Sequence, residues 1–188
     1  MKINLGNTMN KTALFTSFVS MLLLAGGLFA ETPVEVTLMD KLDEPRGFCL
    51  DTLGFQANAR PEDGLQTHSC YSYQGQLGVD QAFDADGIAD SAFRLIEFDL
   101  CMTATGLSAG SEFGLEPCDG SVSQRFEHRP NGKVMSLAAP GNCVTAGEGP
   151  SRHGGGGDRG HLIRDLTLEV CDGSRDDRQQ WRLRETFD

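Results

Sequence analysis

Apolar and polar residues alternate over short runs of this chain, in "VEVTL" (residues 34–38), "FRLIEFDLCM" (93–102) and "LTLEV" (166–170). A period of two turns one face of a strand toward a core and the other toward water, so these runs predict strands. Past residue 30 no segment carries a helical stripe. "ADGI" (85–88) and "PNGKV" (130–134) contain Asp-Gly and Asn-Gly pairs that predict tight hairpin turns. "GEGPSRHGGGGDRGH", residues 147–161, is expected to be a loop without packing potential, and "DGSRDDRQQ" (172–180) a solvated loop leading into the last strand.

The strand-like runs fall into three units of one design: a cysteine, a variable loop, a second cysteine, then Gln-x-aromatic about ten residues on. The first runs from Cys49 through Cys70 to Gln81 and Phe83. The second runs from Cys101 through Cys118 to Gln124 and Phe126, and the third from Cys143 through Cys171 to Gln179 and Trp181. "LEPCDG" and "LEVCDG" make the second cysteines of the last two units nearly one string. A repeat of this size cannot bury its apolar face alone, so three must close on one another. An all-β chain of three such units, about 34–86, 87–133 and 134–188, predicts a β-trefoil with roughly four strands per repeat.

Residues 1–30 read differently. Lys2 and Lys11 precede the apolar "ALFTSFVSMLLLAGGLFA", and Ala30 stands before a charged segment, the pattern of a signal peptide cleaved near Ala30. Met9 would give a tidier start, and an uncleaved anchor is the alternative, although the run is short for a span. The remainder, 31–188, is expected to be a single exported domain, secreted or periplasmic, with no membrane insertion after cleavage. Its net charge of −11 falls to −13 when the two leader lysines are lost. Such acidity excludes nucleic acid and anionic membranes as partners, since both are bound through lysine and arginine. Six cysteines in an exported chain predict three disulfides, of fifteen possible connectivities; no C-x-x-C pair favours zinc.

The three Gln-x-aromatic motifs, with tryptophan kept in "QQW", resemble those of the ricin B-type lectin family, β-trefoils with a Gln-x-Trp signature in each repeat. The resemblance covers about Val34 to Arg184. It implies that the signature aromatic fills the pseudo-three-fold core while its glutamine ties backbone together. It also implies cysteine pairing within each repeat: Cys49–Cys70, Cys101–Cys118 and Cys143–Cys171. The implied function is carbohydrate binding, with a galactose-type sugar as first guess.

Carried over residue by residue, the family's sugar site falls on Asp51, Gln66, His68, Asp80 and Gln81 of the first repeat. A carboxylate accepts from two neighbouring hydroxyls, amides read hydroxyls of either polarity, and a ring covers the C–H face of a sugar. His68 stands where the family has tryptophan or tyrosine, and is expected to take up a proton near pH 6.5. Asp80 replaces the usual asparagine, and Tyr71 or Tyr73 is a candidate for the missing ring. The other repeats are expected to be silent: Thr103 and Thr145 hold the aspartate position, Gly114 and Thr167 the glutamine position, and Glu116 and Glu169 the ring position. One shallow site is the result.

No cofactor and no metal site are expected. His153 and His161 flank four glycines in the long loop, and "DADGIAD" (84–90) lacks the order of a calcium loop. No Ser-His-Asp, Cys-His or phosphate-loop pattern marks an enzyme. The alternative function is a protein-interaction module, such as a receptor-binding or toxin-delivery subunit or an inhibitor, with an unidentified protein partner at the 147–161 loop and a vestigial sugar pocket.

Overall fold

The computed structural model describes residues 1–2, 31–55, 58–71, 75–154 and 160–185. The leader reading therefore lies almost wholly outside the described residues. The first repeat holds β1 (Pro33–Leu38), β2 (Phe48–Thr52), β3 (Leu65–Ser69) and β4 (Phe83–Asp84). The second holds β5 (Arg94–Leu95), β6 (Leu100–Ala104), β7 (Ser111–Pro117) and β8 (Phe126–His128). The third holds β9 (Val134–Ser136), β10 (Asn142–Ala146), β11 (Arg152–His153), β12 (Leu162–Arg164), β13 (Leu166–Val170) and β14 (Trp181–Glu185). Without β11 and β12 each repeat has four strands, as the sequence predicts.

The strands form a β-trefoil. An antiparallel ring runs from β14 to β1, β4, β5, β8 and β9; isolated bridges Ala92↔Arg125 and Lys133↔Gln180 complete it. Three hairpins, β2–β3, β6–β7 and β10–β13, stand on this ring. Their register repeats without slip: Cys49 faces His68, Cys101 faces Glu116, and Cys143 faces Glu169. The repeat inferred from spacing is thus a repeat of backbone geometry. The disulfides join Cys49 to Cys70, Cys101 to Cys118 and Cys143 to Cys171, the pairing that the resemblance implied. Closing such local loops stabilises the fold by about 3 kcal/mol each, through the unfolded chain.

The signature aromatics Phe83, Phe126 and Trp181 are all fully buried. The Phe93 ring lies between Phe83 and Phe126, with centroids at 6.4 and 6.3 Å, and the Trp181 indole N–H donates to the Val144 carbonyl at 3.0 Å. The signature glutamines do one job three times. The Gln124 amide donates to Thr103 Oγ1 (3.1 Å) and the Pro117 carbonyl (3.0 Å), and accepts from the Asp119 N–H (3.0 Å). Gln179 donates to Thr145 Oγ1 and the Val170 carbonyl, both at 2.9 Å, and accepts from the Asp172 N–H at 2.9 Å. Gln81 donates to Asp51 Oδ2 (2.5 Å) and the Ser69 carbonyl (3.1 Å), and accepts from the Tyr71 N–H (3.0 Å).

The alternating run 93–102 is two strands, β5 and β6, paired antiparallel about a turn, and three further local expectations change. "PNGKV" does form the β8–β9 turn, with Gly132 at φ +86°, but "ADGI" lies in a one-turn helix, α1 (Ala85–Ala89). Asp84 caps it by accepting from the Asp86 N–H, and buried Ile88 anchors it. A single turn is too short to show a helical period. The 172–180 stretch likewise folds into two helical turns, Gly173–Arg175 and α2 (Asp176–Gln179). The third change is larger. Residues 147–161 contain β11, which pairs with β12, and β12 pairs in turn with β3 of the first repeat, Ile163 facing His68. Polar bonds anchor this hairpin: Ser151 to Asp43, Arg46 to the Gly160 carbonyl, and the Leu162 N–H to Ser69 Oγ. Apolar content alone could not reveal them.

Because Phe126 sits fully buried between two aromatic neighbours, Phe126→Ala is expected to destabilise the domain by about 3–5 kcal/mol. Guanidinium unfolding should show a lower midpoint with an unchanged slope.

Candidate functional site

The β2–β3 ladder sets Asp51 opposite Gln66, and Gln81 reaches Asp51 from the end of the helical turn Gly75–Gln81. The same register sets Thr103 opposite Gly114 and Thr145 opposite Thr167. The three repeats can therefore be compared atom for atom. In the second and third, the threonine hydroxyl accepts from the glutamine and donates to the carbonyl two residues back, Cys101 or Cys143. No carboxylate enters the clamp there. In the first repeat a carboxylate occupies the place.

Asp51 is fully buried; its Oδ2 takes the Gln81 amide, and its Oδ1 has no hydrogen-bond partner among the described residues. Burial pushes its pKa well above the ordinary carboxylate value, and the nearby Asp80 charge adds to this, while the Gln81 and Gln66 amides oppose it. Asp80, also fully buried, directly precedes Gln81. Gln66 is half-buried. The five residues singled out from the sequence thus gather about one carboxylate. Gln81 has both amide hydrogens and its carbonyl engaged by protein atoms, so it positions Asp51 and does not offer a donor outward.

His68 lies against this carboxylate, Nδ1 being 3.7 Å from Asp51 Oδ2. Its Nδ1–H donates to the Ser69 carbonyl (3.0 Å), which leaves Nε2 to accept the Tyr71 hydroxyl (3.4 Å). Burial lowers the His68 pKa to about 4, against the switch near pH 6.5 expected from its residue type. The imidazole is neutral at physiological pH, so its contact with Asp51 is not an ion pair. Ring packing is supplied from elsewhere. Tyr71 stands 5.0 Å from His68, centroid to centroid, and Phe55 packs edge-on against Tyr71 at 5.8 Å. Tyr73 lies outside the described residues.

The sequence carried no signal that a ring of the third repeat would join them. His161 arrives on the β11–β12 hairpin and packs 4.9 Å from both His68 and Tyr71. Nor did it show the polar brace beneath: Arg46 donates to both Glu44 oxygens and to the Gly160 carbonyl, and Ser69 Oγ donates to Glu44. Burial opposes the Glu44 charge, but the Arg46 and Ser69 bonds outweigh it and hold the pKa at about 2. In the third repeat the equivalent position opens into a hollow of about 170 Å³ lined by Thr145, Thr167 and Glu169, with Arg175 and Arg178 at its side. It has no buried carboxylate at the clamp.

A family model described as the ricin-type beta-trefoil lectin domain matches residues 41–156. The chain belongs to this family. Its fold is shared with the earthworm lectin C-terminal domain, a mutant solved with 6'-sialyllactose, at TM-score 0.56 and 15% identity over 82% of this chain and 98% of that one. The Abrus precatorius agglutinin matches at TM-score 0.55 and 18% identity, over 82% of this chain; this lectin domain spans 48% of the agglutinin chain. The Vibrio vulnificus hemolysin/cytolysin β-trefoil lectin, solved with N-acetyl-D-lactosamine, matches at TM-score 0.53 and 15% identity, covering 85% and 98%. No curated protein sequence matches.

The His68 environment fixes a pH response. With a folded pKa of about 4 against an ordinary 6.5, the unfolded chain takes up this proton first. The His68 contribution to stability is therefore complete above pH 6.5 and is lost as pH falls toward 4. In proton NMR the His68 ring resonance is expected to stay constant from pH 8 to 5 and to move only near pH 4; a midpoint near 6.5 would contradict the buried placement.

Proposed function

We propose that the protein is a lectin whose first repeat binds a carbohydrate through Asp51. One observation carries this reading: the clamp position that two repeats fill with a self-satisfied threonine holds, in the first, a buried carboxylate whose Oδ1 accepts no hydrogen bond of good geometry among the described residues. A buried acceptor left unpaired is destabilising by about 1–3 kcal/mol, and a pair of sugar hydroxyls supplies the donors it lacks. Family membership supports the same class of ligand. So do fold neighbours solved with GalNAc and with α-methyl-D-galactoside, which favour a galactose-type sugar as the first to test.

On this reading the five residues take different roles. Asp51 accepts the hydroxyls, Gln66 flanks it across the ladder, and Gln81 holds its other oxygen. Asp80 sets the local charge, and His68 supports the ring wall as a neutral group. Tyr71, packed 5.0 Å from His68, is the ring whose rotation would open a path to the carboxylate. A single site of this kind gives affinity near millimolar, roughly −4 kcal/mol, so several copies on a multivalent surface would be needed for firm attachment. Export to an oxidising compartment, secreted or periplasmic, accords with three disulfides. Of the 147–161 segment that the interaction-module reading would use, the described residues Ser151 and Gly160 are bonded to the first repeat.

Asp51→Thr installs the residue that the other repeats already accommodate. Calorimetry with α-methyl-D-galactoside, preceded by a glycan array, is expected to show sugar binding lost. The melting temperature is expected to hold or rise by about 2–4 °C, equivalent to roughly 1 kcal/mol, because a buried charge has gone. Sugar binding retained in this variant would refute the first-repeat site.

A further inference from the structure

We infer that the sugar site of the first repeat is completed by His161 of the third repeat, whose imidazole touches the same ligand that Asp51 holds. The inference rests on the first-repeat reading above and adds a residue from a different part of the chain.

Backbone on both sides of His161 is fixed. Its own carbonyl accepts from the Gly154 N–H at 2.7 Å, the Leu162 N–H donates to Ser69 Oγ at 2.7 Å, and Arg46 holds the Gly160 carbonyl at 3.1 Å. The ring is therefore delivered to a set position, 4.9 Å from both His68 and Tyr71. Three rings from two repeats meet one another, and one of them, His68, lies 3.7 Å from the Asp51 carboxylate.

The polar atoms carry the argument further. His161 Nδ1 is buried and has no hydrogen-bond partner among the described residues, and the same holds for Asp51 Oδ1. His68 lies in contact with both residues. A ring needed only for packing would be better served by phenylalanine, which carries no nitrogen to desolvate. Burial and the Arg46 charge lower the His161 pKa, so the imidazole is neutral and its free nitrogen exchanges hydrogen bonds with hydroxyl groups. A hexose bearing several hydroxyls has the complementary chemistry: one hydroxyl donates to Asp51, another pairs with His161, and the rings cover the C–H face.

The experiment compares the full mature protein with His161→Phe, His161→Ala, Arg152→Ala and Asp51→Thr on a glycan array carrying neutral, N-acetylated and sialylated galactosides. His161→Phe keeps the ring contacts and removes the nitrogen; Arg152, exposed on the same hairpin, is the control. Affinity is expected to fall about tenfold in both His161 variants, to vanish in Asp51→Thr, and to stay at the wild-type level in Arg152→Ala. Wild-type affinity in His161→Phe, with binding lost in Asp51→Thr, overturns the inference and leaves the first-repeat reading standing. Binding retained in Asp51→Thr, or no glycan bound by the wild-type protein, overturns both.

Discussion

A buried glutamine amide, bonded to the residue two places after the first cysteine of its repeat, is the contact on which the rest of this structure depends. Each amide donates to that residue and to a β-strand carbonyl, and accepts from a backbone N–H just past the second cysteine. One bond of this kind stabilises by only about 0.5–1.5 kcal/mol, but removing the amide leaves several buried groups unsatisfied at once. The clamp also fixes where the signature aromatic enters the core, since that aromatic lies two residues further on. Disulfide, hairpin and core are coupled at one amide, three times over.

That coupling explains why a binding site can arise at little structural expense. The residue facing the amide needs an acceptor atom, and either threonine or aspartate supplies one. Threonine then turns its hydroxyl hydrogen back onto its own strand and is finished. Aspartate keeps a second oxygen, and among the described residues that oxygen has no hydrogen-bond partner. One side chain on a common scaffold leaves the first repeat with a buried carboxyl that its two siblings lack.

Much of the fold was legible because its signals are local and repeated. Cysteine spacing, alternating strands and the Gln-x-aromatic motif recur in order, and the register Cys49↔His68, Cys101↔Glu116 and Cys143↔Glu169 shows that the spacing encoded geometry. The gathering of Asp51, Gln66, His68, Asp80 and Gln81 was legible for the same reason. Their environment was not. That Asp51 is sealed and His68 neutral depends on what is packed against them, which residue type does not encode. The hairpin at 147–161 escaped because glycines, serine and charged residues hold it by hydrogen bonds, with no apolar period to detect. The helix α1 escaped because one turn has none.

The hairpin also decides how independent the repeats are. Beyond the ring, the third repeat adds contacts on two sides: β13 pairs with β7 of the second repeat, and β12, just before it, pairs with β3 of the first. Arg164 sits at this junction, its guanidinium 5.4 Å over the Phe48 ring and bonded to Asp43 and the Gly147 carbonyl. Asp43 in turn holds Ser151 and is kept ionised, its pKa lowered by the Arg164 and Ser151 bonds against a burial effect that works the other way. Loosening the first repeat enough to admit a ligand therefore strains a polar lattice that belongs to the third. The candidate site is a property of the closed trefoil, and an isolated first repeat would lack one wall of it.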